Sequence, residues 1–250
     1  IHAVCVMSNH YHLVLTDPDG RLPEFLHVLN LYSAKCINAS CGRWENLWAS
    51  EQTSAVCLEG EEDLLDKIAY CLANPTLAGL VRESKQWPGL RSCAGDIVGS
   101  ERVVDRPKVF FRENGSTPEQ VTLKLSKPKV WDTLDDDELA ALVESAVEEK
   151  EQEARDVMKK SARHFAGVRK VLAQRASDSP LTAASHRQLN PTVAAKNKWA
   201  RQEALRRIKS FTDAYFTAYE LFAQGIRNVV FPAGTYALRR RHGVPVADTA

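Results

Sequence analysis

The sequence predicts an α+β protein. Two observations carry this. The front end holds short apolar runs rich in Val and Leu, each closed by turn-forming residues. The second half holds long stretches with apolar residues at helical spacing and few breakers. The 250 residues suffice for one large domain or two small ones. A composition of 44% hydrophobic and 26% charged residues is that of a soluble globular chain. No apolar run approaches the roughly 20 residues that a membrane span requires.

Residues 3–7 and 10–16 read as two strands, with Ser8-Asn9 as a turn or bulge between them. Asp17-Pro18-Asp19-Gly20 ends the second strand. Residues 22–40 have apolar side chains near helical spacing, and Cys41-Gly42 closes that helix. Residues 54–58 suggest a further strand. The acidic stretch 59–63 suits a helix entry, and Leu64, Leu65, Ile68, Cys71 and Leu72 continue the helix to Asn74-Pro75, which marks its boundary. A loop-rich stretch begins at Trp87, and an extended piece is expected within 103–112. Asn114-Gly115-Ser116 and Lys127-Pro128-Lys129 bracket a linker, which places a domain boundary near residue 115. Residues 134–176 and 193–225 read as helical, 177–191 as a loop, and 229–231 as a short strand or turn.

The net charge of +1 is unevenly spread. Residues 132–153 hold ten acids and one Lys, whereas residues 151–250 hold 18 Lys and Arg against 8 Asp and Glu. An acidic block followed by a basic tail suits a polyanion-binding tail or a salt-bridged helical pair. The six cysteines form no Cys-x-x-Cys pair, so reduced thiols in a cytoplasmic protein are expected, with no zinc knuckle. The chain opens on Ile1-His2-Ala3, without a basic start, and reads as a fragment, a processed chain or a mis-called start.

The chemistry-bearing residues lie at two spacings. His10 and His12 are two apart, so on a strand they share a face, and two neutral imidazoles on one face lack only an oxygen donor to hold a divalent metal. Asp66, Tyr70 and Asn74 follow at i, i+4 and i+8, on one face of a helix. A carboxamide oxygen from Asn74 can complete the metal site. The Tyr70 phenol beside it can attack a phosphorus held there, once the metal has neutralised the phosphate. Taken singly, each residue also has an ordinary use: an edge histidine, a half-buried helical tyrosine, an Asn ending a helix before proline.

The run Val6-Met7-Ser8-Asn9-His10-Tyr11-His12-Leu13-Val14-Leu15 resembles the histidine-hydrophobic-histidine strand of single-tyrosine transposases, with Ser8 where that family has proline. The run Tyr70-Cys71-Leu72-Ala73-Asn74-Pro75-Thr76-Leu77-Ala78-Gly79-Leu80-Val81 resembles the tyrosine helix of their REP-associated branch, and Trp87 and Ser92 loosely resemble the Trp and Ser that follow it. The resemblance covers about residues 1–95. It implies a ferredoxin-like antiparallel sheet with packed helices, whose first strand and helix would precede this chain; the periodicity of residues 116–250 adds a mainly helical extension. It further implies magnesium or manganese held by His10, His12 and Asn74, with Tyr70 as the nucleophile. The activity would be cutting and joining of single-stranded DNA beside REP-like hairpins through a 5′-phosphotyrosine bond, often by a homodimer, near the nucleoid.

In the tail, Lys196, Lys198, Arg201, Arg206, Arg207 and Lys209 surround Trp199, a pattern that can follow a phosphate backbone and stack a base. The alternative is a solvated helix paired with the acidic block. Residues 231–236 and 239–242 weakly resemble an extension of longer transposases, and Tyr236 is a second phenol without a partner at helical spacing. Two further functions are open at this point: a domesticated or inactive relative that binds hairpins without cutting, and a helical interaction protein whose tail binds its partner.

Overall fold

The computed structural model describes residues 1–49, 53–175, 178 and 191–248. It is a mixed α/β chain with small sheets and a mainly helical second half. The loop expected over 177–191 lies outside the described residues, apart from Asp178 and Pro191. The chain divides into two compact units, each discontinuous in sequence. One comprises Ile1–Thr16, Gly60–Arg106 and Ser116–Leu189, the other Asp17–Glu59, Pro107–Gly115 and Asn190–Ala250. A division into 1–115 and 116–250 therefore matches neither unit. The cause is long-range packing and pairing, described next, which local composition does not reveal.

The first unit starts with a hairpin. Strands β1 (Ala3–Val6) and β2 (Tyr11–Val14) pair antiparallel, with Cys5 opposite His12 and Val6 opposite Tyr11. Met7 N–H donates to the His10 carbonyl at 2.8 Å, so Ser8-Asn9 is the two-residue turn. The segment from Leu90 to Ser92 lies along the other edge of β1, through Val6 N–H to the Leu90 carbonyl and Ser92 N–H to the Val4 carbonyl, both 2.8 Å. Trp87 and Ser92 fasten it: the indole N–H donates to the Val6 carbonyl at 2.9 Å, and the Ser92 hydroxyl accepts from Val4 N–H at 2.9 Å.

Helix α1 (Leu22–Cys41) belongs to the second unit. Helix α2 (Glu61–Leu77) crosses the hairpin of the first. Glu61, Glu62 and Asp63 fill its first turn, where the helix dipole favours acids. It does not stop at Asn74-Pro75 but runs through Pro75. Proline costs one backbone bond, which is tolerable in a last turn that ends within a few residues anyway. The end is a Schellman motif: Gly79, at φ 71°, donates to the Thr76 carbonyl, and Leu80 donates to the Pro75 carbonyl.

Helix α4 (Asp136–Lys160) also packs against α2, with Asp135 capping its N-terminus. Short helix α3 (Ala94–Ile97) also packs on α4. The long helix expected over 134–176 is two helices, α4 and α5 (Val168–Ala173), because the chain turns at Ala162 (φ 50°) and Gly167 (φ 81°). That turn is tied to the end of α2 by Ala166 and Gly167 N–H groups, which donate to the Gly79 and Leu80 carbonyls. The core holds Ala3, Cys5, Ile68, Cys71, Leu72, Val81, Ile97, Leu139 and Val143. A second hairpin pairs β4 (Glu101–Asp105) with β5 (Gln120–Lys124). The extended piece expected within 103–112 thus begins earlier and ends at Asp105, and β5 occupies what read as a linker.

In the second unit, Asp17 accepts from Arg21 and Leu22 N–H groups at the start of α1, and Gly42 at φ 62° ends the helix. No residue of α1 is buried. Strand β3 (Cys57–Leu58) pairs in parallel with β6 (Val193–Ala194), so the stretch expected to be helical from 193 begins as a strand. Helix α6 (Lys198–Ala223) follows, capped by the Asn197 side chain, and α7 (Ala237–His242) comes later. Ala218, Phe231 and Val244 form a core with Tyr215 and Phe222, and Phe231 bridges to Val246. Among the described residues no helix is long and apolar enough to cross a membrane.

The hairpin fastening yields a test. A Cβ on Gly89 would stand 2.6 Å from the Trp87 indole nitrogen and 3.1 Å from the Val6 carbonyl oxygen. Gly89→Ala is therefore expected to push the indole off Val6 and destabilise the protein by about 1–2 kcal/mol, read as a lower urea midpoint with an unchanged m-value.

Candidate functional site

His10 is the last residue of the hairpin turn and His12 lies on β2 opposite buried Cys5, so both imidazoles take the face that α2 covers. Their Nε2 atoms are 3.0 Å apart, and the rings meet edge to face at 88°. The Nδ1–H of His10 donates to the Asn9 side-chain oxygen at 2.7 Å, which leaves Nε2 of His10 as the lone-pair nitrogen. From α2, Asn74 is buried and its side chain hydrogen-bonds the His12 ring. One turn earlier, the Tyr70 ring stands edge to face with His12, centroids 5.5 Å apart, and is 40% exposed. The Cys71 thiol donates to the His12 carbonyl at 3.7 Å, which ties the helix to the strand between these two contacts. The structure thus brings His10, His12, Tyr70 and Asn74 together. Asp66 lies on the same helix face one turn further back.

Both imidazoles are held below their ordinary pKa of 6.5. Partial loss of hydration is the main cause for each, although His10 still faces solvent. His12 is lowered further by His10 and raised by its bond to Asn74. Each ring is therefore neutral near pH 7, with a lone pair to offer. Burial pushes the nearby thiols up, Cys5 to about 11 and Cys71 further still, so both are protonated at neutral pH in the metal-free protein.

The 3.0 Å between the His10 and His12 Nε2 atoms is a hydrogen bond, in which His12 Nε2–H donates to the His10 lone pair. It is also close to the separation of two nitrogens bound 90° apart at about 2.1 Å on an octahedral ion, so a cation that displaced this proton would find both imidazoles at a suitable spacing. The candidate donors are the two imidazoles and the Asn74 carboxamide; among the described residues no group of three or more His, Cys, Asp and Glu is arranged for a metal.

The basic residues singled out in the tail lie just before α6 and through its first half, in the second unit. Lys196, Lys198, Arg201, Arg206 and Arg207 are exposed, and Trp199 is 74% exposed. The ion pairs described for them run to Glu59 from Arg207 and to Glu203 from Arg206. Acids of the 132–153 block pair with Lys127 and Arg155. Tyr236 lies 6.1 Å from the His27 ring, and Arg240 reaches the same imidazole at 2.7 Å. Spacing along one helix could not show that neighbour, because His27 comes from α1.

Three residues near the site escaped the sequence reading: Asn9, which orients His10, Cys71, which ties α2 to β2, and Lys67, whose ammonium stands 5.8 Å from the Tyr70 ring centroid. Position was the available signal, since Asn9 adjoins His10, Cys71 adjoins Tyr70, and Lys67 precedes Tyr70 by three. Comparison of the chain with protein-family models, with curated proteins and with solved structures finds no match.

The lowered imidazoles set a pH dependence. The unfolded chain takes up these protons near 6.5, whereas the folded chain takes them up only at lower pH. Their contribution to stability is thus complete above 6.5 and is lost as pH falls below it. NMR titration of metal-free protein is expected to give His10 and His12 midpoints below 6.5. The urea midpoint is expected to drop between about pH 7 and 5, less steeply in His12→Gln.

Proposed function

We propose that this protein is a metal-dependent single-stranded DNA endonuclease and strand transferase that acts beside hairpins through a tyrosine–DNA intermediate. One observation carries the reading: two Nε2 atoms 3.0 Å apart, with the Asn74 amide and the Tyr70 ring both against His12. The resemblance of residues 1–95 to REP-associated tyrosine transposases supports it. On this reading the hairpin and α2 belong to a ferredoxin-like sheet with packed helices.

His10, His12 and Asn74 would hold magnesium or manganese. The metal, when bound, would neutralise phosphate oxygens and so ease attack at phosphorus. Asn9 fixes the His10 tautomer through Nδ1, and partial desolvation lowers both rings' affinity for a proton. Tyr70 is exposed enough to meet a strand from solvent. Its oxygen gives up a proton and forms a bond to phosphorus, the bond from phosphorus to O3′ breaks, and O3′ takes a proton. One phosphodiester replaces another, so a second 3′-OH can reverse the step without ATP. In the second unit, the exposed basic residues of α6 and Trp199 form by themselves a surface suited to a phosphate backbone and a stacked base.

A gel assay on a hairpin oligonucleotide with a single-stranded flank tests this. In manganese the wild-type protein is expected to form a covalent adduct that survives denaturation. Tyr70→Phe is expected to form none, a loss of at least about 1,000-fold, while still shifting the oligonucleotide in a native gel. An adduct in Tyr70→Phe would overturn the role of Tyr70. Binding without any adduct in magnesium or manganese would leave a hairpin-binding protein that does not cut. Asn9→Ala is expected to weaken manganese binding about 10-fold or more, read by electron paramagnetic resonance of free manganese without DNA.

A further inference from the structure

The charges around Asp66 are unequal. Its two carboxylate oxygens each hold a different ammonium: Oδ1 takes Lys150 from α4 at 2.7 Å, and Oδ2 takes Lys67 from α2 at 2.8 Å. Burial alone would raise the Asp66 carboxyl, but the two lysines outweigh it and hold the group below its ordinary value, so it is fully ionised. Two ammonium groups therefore share one carboxylate on the face that carries Tyr70.

The two lysines differ in access. The Lys150 side chain is 21% exposed and the Lys67 side chain 41%. Lys67 precedes Tyr70 by three residues, so the two are neighbours on the helix surface, with the ammonium 5.8 Å from the ring centroid. We propose that Lys67 is a phosphate-binding residue for a single-stranded nucleic acid laid across Tyr70, held at rest by a carboxylate that can release it. This inference rests on the proposed reading of Tyr70 as the group that meets the strand.

Lys150 makes the exchange inexpensive. With one lysine only, moving the ammonium to a phosphate oxygen would strip a partly buried carboxylate of its partner. Here Lys67 moves to the phosphate while Asp66 keeps Lys150, so no charge is orphaned. Lys67 is a positioning residue: it fixes where a phosphodiester sits relative to the phenol and takes no part in bond making. Lys150 acts through Asp66 and does not touch the strand.

The test is equilibrium binding of a fluorescent hairpin oligonucleotide with a single-stranded flank, in EDTA, with the full chain carrying Tyr70→Phe. Each phosphate contact to a single strand adds about 0.7 to the slope of log affinity against log salt. Adding Lys67→Gln is expected to lower that slope by about 0.7 and weaken binding about fivefold at 0.1 M salt. Lys67→Arg should retain both values. Lys150→Gln should weaken binding similarly, because Lys67 then stays with Asp66, and adding Asp66→Asn to it should restore the affinity. An unchanged slope in Lys67→Gln overturns the proposal. A Lys150→Gln protein that melts normally and binds as the parent does overturns the release by exchange. The adduct assay on wild-type protein separates the two readings. An adduct with an unchanged Lys67→Gln slope removes Lys67 alone, whereas a parent that neither binds nor forms an adduct removes both.

Discussion

Burial of α2 against two neighbours is the constraint from which the candidate site follows. Both the β1–β2 hairpin and α4 pack on it. Ile68, Ala69, Cys71, Leu72, Ala73 and Pro75 fill the space between, none more than 1% exposed among those largest in the core. A buried side chain such as Ile68 or Leu72 contributes about 1.5–3 kcal/mol, so the helix has little freedom to rotate. With these positions inward, Tyr70 falls at the margin, 40% exposed, and Asn74 falls beneath the hairpin, 5% exposed. The helix could not turn to hide Tyr70 without exposing Ile68 or Leu72. The same packing that secures the fold thereby sets the distance between phenol and imidazoles.

The hairpin supplies the other half. Side chains alternate along a strand, so a slip of one residue would turn His10 and His12 away from α2 together. The two-residue turn at Ser8-Asn9 sets the register, and the Leu90–Ser92 segment holds the far edge of β1 through backbone bonds and the Trp87 and Ser92 side chains. Two residues that look peripheral to any chemistry therefore maintain the alignment of the imidazoles. Asn9 has both tasks, as a turn residue and as the acceptor that aims His10.

The site was more legible in the sequence than the fold. His10 and His12 could be placed on one face from the period of a strand, and Tyr70 and Asn74 from the period of a helix. Both periods are local, and both held in the structure. Pro75 misled, because a proline in the final turn of a helix costs less than one in the middle, and sequence alone does not say which turn is last. Strand β5 was missed because five residues between Lys- and Pro-containing stretches leave only Val121 and Leu123 to show alternation. The two-unit division was illegible for a deeper reason: pairing of Cys57 with Val193, and of Asp66 with Lys150, depends on residues far apart in the chain. The acidic block gave no sign of its inward side: Leu139 and Val143 within it are fully buried, and Glu151 accepts from Ser84 N–H at 2.7 Å.

The seat of α4 against α2 also governs how this molecule can be dissected. A chain cut at residue 115, the natural place to separate front from tail by composition, would carry the hairpin and α2 but strip away Leu139, Val143 and the Lys150 anchor. The excised piece would present a bare greasy flank to water and lose the scaffold that orients its own phenol. Shorter versions meant to retain the histidines and the tyrosine in working order must therefore extend to at least Lys160, so the smallest useful fragment is defined by three-dimensional neighbours and not by position along the polypeptide.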